Sequence, residues 1–372
     1  MRSPSSLLTL FGSETHTLVE RAIAEFRSGR PVLIARGRRA IVVLGVEALD
    51  PDHAAAMEAY AAGSGRLVLP AARLRRLGRE RSDAGSIAFP VVDTDRIGQL
   101  SLGLEARLDA PVAPINDLDA AALELAALSL TLPGVFVVPV TGRAPRGLVR
   151  VLASDIEQFR SSSAVDLTIV SRAPVPLEFA ARAEFVVFRG GEGMRDQVAI
   201  VVGAPATGHP VAVRMHSACL TGDLFGSLKC DCGDQLRNTV RQMSEGDGGV
   251  LLYLDQEGRG NGIANKMRAY RLQSQGWDTY EADEAIGFDL DQRHFDFAAV
   301  MLKKLGISSV RLMTNNPLKI AALREAGLSV VSDERVLGRP TAENVRYLAS
   351  KRDRAGHFID LDAMAARAPA QD

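Results

Sequence analysis

Between Pro210 and Val331 the chain alternates short apolar runs with stretches of helical spacing, and this alternation limits the fold more than any other feature. Pro210 to Met215, Gly249 to Leu254, Val310 to Met313 and Leu328 to Val331 read as strands. Gln235 to Glu245 puts Leu236, Val240 and Met243 on one helical face. Helices are also expected over Ile263 to Gln275, Asp296 to Leu305, and Pro317 to Ala326, the last with its proline in the first turn. The first half has a similar character. A helix from Thr17 to Ser28 stops at Gly29, strands follow at Pro31 to Ile34 and Ala40 to Leu44, and a helix at Asp117 to Leu128 precedes a strand at Val135 to Val140. Ser161 to Glu178, with three consecutive serines and two prolines, is the expected boundary, and Glu184 to Phe188 opens the second half. The expectation is an α/β (α+β) protein of two domains, residues 1–172 and 173–372. With 372 residues, 47% of them apolar, each can bury a core.

The formal net charge of −1 offers no basic field for nucleic acid and no acidic solvating tail. The stretch Met1 to Phe11 is too weakly patterned for a signal peptide, and no run of about 18 apolar residues suggests a membrane span. A cytoplasmic protein without nucleic-acid or membrane partners is expected.

The three cysteines, Cys219, Cys230 and Cys232, all lie within fourteen residues. An odd number does not read as a disulfide framework, and one residue between Cys230 and Cys232 is a poor spacing for a bridge. Thiolates suit Zn²⁺, and three on one loop can supply three corners of a tetrahedron with the fourth left for water. The alternatives are a structural knot closed by His216, or three unrelated buried cysteines. A zinc deaminase does not fit, because Ser217 and Ala218 follow the histidine and the later pair is Cys-Asp-Cys.

A second set of residues suits a polyanion and a purine. Arg214, Arg259, Lys266, Arg268, Arg293 and Lys319 offer cations, and Gly258, Gly260 and Gly262 allow close backbone approach. No P-loop sequence is present, so a triphosphate would be held by other means. A glycine run is also what a plain turn looks like. Glu257 is either a partner for purine N–H groups or a solvated carboxylate at a strand end.

The stretches Arg214-Met-His-Ser-Ala-Cys-Leu-Thr-Gly-Asp and Ser227-Leu-Lys-Cys-Asp-Cys-Gly resemble the metal segment of GTP cyclohydrolase II. Asp255-Gln-Glu-Gly-Arg-Gly, Asn265-Lys-Met-Arg-Ala-Tyr, Leu290-Asp-Gln-Arg and Met313-Thr-Asn-Asn-Pro extend the resemblance in family order over about residues 174 to 358. It implies hydrolysis of GTP to a 2,5-diamino-6-(5-phospho-ribosylamino)pyrimidinone, formate and pyrophosphate, at the first step of riboflavin biosynthesis. It implies Zn²⁺ on Cys219, Cys230 and Cys232, with Mg²⁺ on the GTP phosphates. A zinc-bound water ionises near pH ~7 and would attack C8 of guanine.

By the same resemblance, Tyr270 takes part in the ring chemistry, and Asp291 and Arg293 match a proton acceptor and a nucleophile toward the α-phosphorus. A guanidinium is ordinarily protonated, so electrostatic stabilisation of the α-phosphoryl group is the sounder physical role for Arg293. Substrate contacts carry over to Arg214, His216, Ser217, Gln235, Glu257, Gly258, Arg259, Thr279, Thr314 and Lys319, although both threonines also suit a turn or strand end. Ala218 stands where the family commonly has glutamate, and His294 where it often has an acidic residue. A homodimer is implied as well.

Residues 14 to 170 resemble 3,4-dihydroxy-2-butanone 4-phosphate synthase in two pieces, Val19 to Ile34 and Asp119 to Ala126. The acidic Mg²⁺ loop of that enzyme is replaced by Ala35-Arg-Gly-Arg-Arg-Ala, and Pro114-Ile-Asn-Asp-Leu fills the region of its histidine. A cationic loop repels Mg²⁺. The first domain is therefore expected to be a degenerate, non-catalytic relative. Two further readings compete: a cyclohydrolase-like enzyme of another nucleotide pathway, and a non-catalytic nucleotide-binding zinc protein. The intact cysteine, Tyr270, Asp291 and Arg293 set disfavours the second.

Overall fold

Strands that are apolar at nearly every position need cover on both faces, and the first seven strands of the computed structural model form a sheet whose middle has it, while its short end strand is exposed. The seven are β1 (Val32–Arg36), β2 (Arg39–Gly45), β3 (Arg66–Leu69), β4 (Gly85–Ala88), β5 (Ala113–Pro114), β6 (Val135–Pro139) and β7 (Arg150–Leu152), in the order β5-β4-β3-β6-β2-β1-β7. Only β1 with β7 is parallel. Along β2, Ile41 and Val43 enter one core while Val42 and Leu44 enter the other, and β6 divides Val135 and Val137 from Phe136 and Val138 in the same way. Helices Glu14–Arg27, Asp117–Leu128 and Ala153–Val165 contribute to the first core, and Pro51–Ala61, Ala71–Arg76 and Thr94–Leu102 to the second. Asn116 and Asp119 form a reciprocal capping box, which fixes where Asp117–Leu128 begins.

The structure describes residues 13–359, apart from 62, 166, 191–194, 289–292, 340, 342, 343, 345–347, 350, 351 and 355, and leaves aside the side chains of 163–165. They divide into two compact units. The first comprises Met1–Ser162, Ala264–Gln275 and Glu281–Leu290; the second comprises Ser163–Ile263, Gly276–Tyr280 and Asp291–Asp372. The expected division at 172/173 is therefore moved. Ser161 and Ser162 lie in the helix Ala153–Val165 and not in a linker, and a strand at Thr168–Pro174 already belongs to the second sheet. That strand is exposed at six of its seven positions, so it lacked the apolar run that marks a strand in sequence.

The second sheet has the order β14-β13-β11-β12-β10-β9-β8. Its strands are β8 (Thr168–Pro174), β9 (Ala183–Arg189), β10 (Gln197–Val202), β11 (Val211–Ser217), β12 (Gly249–Leu254), β13 (Ser309–Met313) and β14 (Ser329–Glu334). From β12 through β11 and β13 to β14 the strands are parallel, and from β12 through β10 and β9 to β8 they are antiparallel. Val211, Val213 and Met215 of β11 pack in one core with helix Asp296–Lys304, while Ala212 faces the other core beside helix Cys232–Glu245. Alternation therefore sends Arg214 and His216 to the face of Ala212. Among the described residues no helix is long and apolar enough to cross a membrane.

Candidate metal centre and nucleotide site

Open sheets bind ligands beyond the carboxyl ends of their parallel strands, and the cysteines lie there. The Ala218 N–H still donates to the Leu254 carbonyl at 2.8 Å, so Cys219 leaves β11 at the sheet edge. The loop then makes one helical turn, Leu220–Asp223, and returns so that Cys232 is the first residue of the helix Cys232–Glu245. The three sulfurs all lie within 4.8 Å of one another, with Cys219 and Cys230 Sγ 3.6 Å apart. Gly222 makes this possible, since a Cβ there would stand 2.5 Å from Cys230 Sγ and 3.1 Å from Cys219 Sγ.

The donor set fits a thiophilic cation. The neighbouring Cys219 thiol, with burial, pushes Cys230 up to about 11, so three adjacent thiolates need a positive charge to coexist. His216 does not close the set. Its Nε2 is 3.1 Å from both carboxylate oxygens of Asp223, and among the described residues the metal-type cluster consists of the three cysteines alone. Three sulfurs gathered in this way could hold a metal ion.

Asp223 organises the loop. Besides His216 it accepts the Tyr253 hydroxyl at 3.0 Å and the Cys219 N–H at 2.9 Å. The His216 and Tyr253 rings stack with centroids 5.7 Å apart. Burial, reinforced by the Asp223 charge, raises the Tyr253 phenol well above its ordinary range. Burial lowers the pKa of His216. Neither Asp223 nor Tyr253 was picked out from sequence, although Asp223 sits four residues after Cys219, within reach of the N–H that it caps.

Cations surround this edge. Arg214 donates to the Met313 carbonyl at 3.0 Å and to Gln235, which is held in turn by Asp231. Burial pushes Arg214 down to about 10, which leaves it charged at neutral pH. Its Nε is buried with no partner among the described residues, a donor suited to an incoming acceptor. Lys319 Nζ donates to the Met215 carbonyl at 2.6 Å and lies over the Phe295 ring, as does the Arg293 guanidinium. Arg293 also reaches the Ser217 hydroxyl at 3.4 Å, and Ser217 donates to Gln256 at 3.3 Å.

After β12 the backbone takes left-handed conformations at Gly258 (φ 61°) and Arg259 (φ 60°). The first suits glycine; the second is unfavourable for arginine. The Arg259 guanidinium lies 4.4 Å from the Tyr280 ring centroid. Glu257 accepts the N–H groups of Leu220 and Gly258, which ties this turn to the cysteine loop and corrects the picture of a solvated strand-end carboxylate. Thr279 is buried at the start of the helix Thr279–Ala285. The Thr314 hydroxyl accepts the Asn316 N–H at 3.0 Å, so it serves the turn that starts the next helix.

Arg214, His216, Ser217, Gln235, Glu257, Gly258, Arg259, Arg293 and Lys319 thus belong to the unit that holds the cysteines, together with Thr279 and Thr314. Tyr270 is on the helix Gly262–Gln273, in a part of it that belongs to the first unit, with Lys266 Nζ 5.4 Å from its ring centroid. Arg268, read above as a cation for phosphate, is instead paired with Glu47 at 2.6 Å. Asp291 lies outside the described residues.

A family model described as GTP cyclohydrolase II matches residues 168–335. A protein of Xylella fastidiosa named GTP cyclohydrolase-2 is 43% identical over 95% of this chain and 90% of its own length. One of the same name from Azospirillum brasilense is 42% identical over 65% of each chain. The riboflavin biosynthesis protein RibBA of Bacillus mycoides is 51% identical over 45% of this chain and 42% of its own. A solved two-domain 3,4-dihydroxy-2-butanone 4-phosphate synthase from A. baumannii covers 86% of this chain and 99% of its own at 17% identity, with a TM-score of 0.32.

Proposed function

Because this chain belongs to the GTP cyclohydrolase II family, we propose that it hydrolyses GTP to the 2,5-diamino-6-(5-phospho-ribosylamino)pyrimidinone, formate and pyrophosphate. The observation that carries this reading is the three-sulfur cluster at the carboxyl edge of the parallel strands, with buried cations around it. Cys219, Cys230 and Cys232 would hold Zn²⁺, which when bound makes water nucleophilic near neutral pH. Mg²⁺ would accompany the phosphates.

The remaining work falls to the chain's own groups. Arg214 and Lys319, both buried and both anchored to backbone carbonyls, present fixed positive charge that needs no reorganisation when an anion arrives. Arg293, steered by Phe295 and Ser217, stabilises charge on the α-phosphoryl group, with Asp291 as its proton-accepting neighbour in sequence. Arg259 adds a cation from a backbone turn that Gly258 lets approach the ligand. Glu257 supports the cysteine loop and can accept from purine N–H groups with its remaining lone pairs. Gln235 orients Arg214, and His216 and Ser217 line the same strand end. Thr279 and Thr314 sit at helix and turn starts, where a hydroxyl can contact substrate through its second lone pair. Tyr270 donates or shuttles a proton during ring opening.

The proposed reaction is the first step of riboflavin biosynthesis, a pathway that the name of one relative carries, and a cytoplasmic homodimer is the proposed assembly. The first unit is read as a degenerate synthase-like domain without its own reaction. Its β1–β2 turn carries Arg36 and Arg39 paired with Asp117 at 3.2 and 2.7 Å, and Arg36 also meets Glu157, which leaves acid groups there engaged with arginines. Formate and pyrophosphate release from GTP, followed with and without a zinc chelator, tests the main proposal. Loss of formate on chelation with recovery on adding Zn²⁺ is expected; release of both products by the stripped protein would overturn the zinc chemistry.

A further inference from the structure

The helix Gly262–Gln273 carries a cyclohydrolase motif, yet from Ala264 onward it is built into the first unit. Asn265 (1% exposed), Ala269 and Leu272 form its buried face, at spacings of four and three residues. Asn265 Nδ2 donates to the Leu130 carbonyl at 3.2 Å and to that of Thr131 at 3.4 Å. Its Oδ1 accepts from Arg268 Nη1 at 2.6 Å, and the same nitrogen lies 2.6 Å from Glu47 Oε1. Glu47 Oε1 in turn accepts the Leu132 N–H at 3.1 Å. The network closes on itself: residues 130–132 grip the helix through Asn265 on one side and through Glu47 and Arg268 on the other.

Leu130 is the left-handed cap that ends the helix Asp117–Leu128, with its own N–H donating to the Ala127 carbonyl at 3.1 Å and the Thr131 N–H to the Ala126 carbonyl at 3.2 Å. Its φ of 57° is left-handed, an uphill conformation for a bulky side chain, and its carbonyl is the one that Asn265 meets. A second brace holds residues 281–288. Arg73, 1% exposed, donates Nη1 to the Ala285 carbonyl at 2.7 Å while its other nitrogens satisfy the carbonyls of Gln99, Leu100 and Gly103. Arg75 pairs with Glu284 at 3.0 Å. At Gly287 an added Cβ would stand 3.0 Å from Pro133 and 3.4 Å from Arg73.

We propose that the first unit acts as a positioning scaffold for Tyr270, with Glu47, Arg268 and Asn265 as the positioning residues that fix its helix. Tyr270 is two residues from Arg268 on that helix, so tilt or fraying there moves the phenol directly. The inference rests on the reading that Tyr270 takes part in ring opening.

The test uses the full chain with Glu47→Gln, which keeps an acceptor for the Leu132 N–H and removes only the charge facing Arg268. Loosened positioning lowers kcat for formate release on the order of 10-fold. KM for GTP stays within about 3-fold, and zinc content is unchanged. The deciding measurement repeats Glu47→Gln in a Tyr270→Phe background. A group acting through Tyr270 makes the double variant no slower than Tyr270→Phe alone. Losses that multiply, or an unchanged kcat in Glu47→Gln, would overturn the proposal. If Tyr270→Phe alone leaves formate kinetics untouched, the role of Tyr270 has failed and the scaffold role falls with it, while wild-type activity still reports on the cyclohydrolase reading separately. Arg268→Lys, with the same non-additivity expected, replaces Glu47→Gln if that variant does not fold.

Discussion

His216 Nε2 sits equidistant, at 3.1 Å, from the two carboxylate oxygens of Asp223, and neither side chain is more than 6% exposed. An ionised carboxylate can only accept, so Nε2 carries the proton of the imidazole. Burial, joined by the charges of Arg214 and Lys319, lowers the pKa of His216 against the opposing pull of Asp223. The folded state therefore keeps this histidine neutral at pH values where the unfolded chain would protonate it.

That imbalance sets a pH dependence. The unfolded histidine titrates near ~6.5, so below that pH the unfolded chain binds the extra proton and stability falls, by at most about 1.4 kcal/mol per pH unit for one group. Melting curves from about pH 7.5 to about pH 5.5 should show this loss in the wild type and a shallower slope in His216→Gln. Parallel slopes in the two proteins would remove His216 from the account.

The sulfur cluster depends on one missing methyl group. Gly222→Ala would drive a Cβ to 2.5 Å from Cys230 Sγ without deleting any ligand. We expect this variant to bind less than about a tenth of the wild-type zinc, as does Cys230→Ser, because ligand geometry sets affinity as much as ligand identity. Metal analysis of the purified proteins decides it, and full zinc occupancy in Gly222→Ala would show that the loop yields more easily than its packing suggests.

Arg259 occupies a left-handed conformation at φ 60° while its guanidinium lies over Tyr280. Arg259→Gly relieves the backbone and loses the cation. Denaturant unfolding should therefore show a stability change within about 1 kcal/mol of zero, since strain relief offsets the entropy of a new glycine. GTP binding should weaken by about 10-fold, from the loss of a charge-assisted contact. A large stability loss with unchanged affinity would mean that the strain serves the fold and not the ligand.

In the first unit Arg36 and Arg39 hold Asp117 in ion pairs, with Asp117 drawn below its ordinary pKa chiefly by Arg39 against the opposing effect of burial. We expect no conversion of ribulose 5-phosphate to the butanone phosphate by the purified protein, with or without Mg²⁺. Detectable product would show that the synthase chemistry survives on other groups.

Much of the secondary structure was legible because the relevant signals are local. The helix Asp117–Leu128 and the strand Gly249–Leu254 run where their caps and apolar runs place them. Where the signal was weak the reading slipped: Thr168–Pro174 is a strand by virtue of its pairing with β9, not of any apolar alternation, and Ser161 extends a helix whose stability comes from Ile156 and Phe159 in the core. Asp223 escaped notice because its value lies in meeting His216 and Tyr253, which no spacing announces.

The linear order of residues determined the donor chemistry of the metal loop, the layered alternation of strand and helix, and the family to which both belong, since each is written in neighbouring side chains. Only the folded molecule decided that His216 answers to Asp223 instead of joining the cysteines, and that the helix of Tyr270 is gripped by Glu47 and Leu130 from more than a hundred positions away. Those outcomes depend on which buried groups satisfy one another in three dimensions, and hydrogen-bond geometry over such separations leaves no periodic trace along the chain.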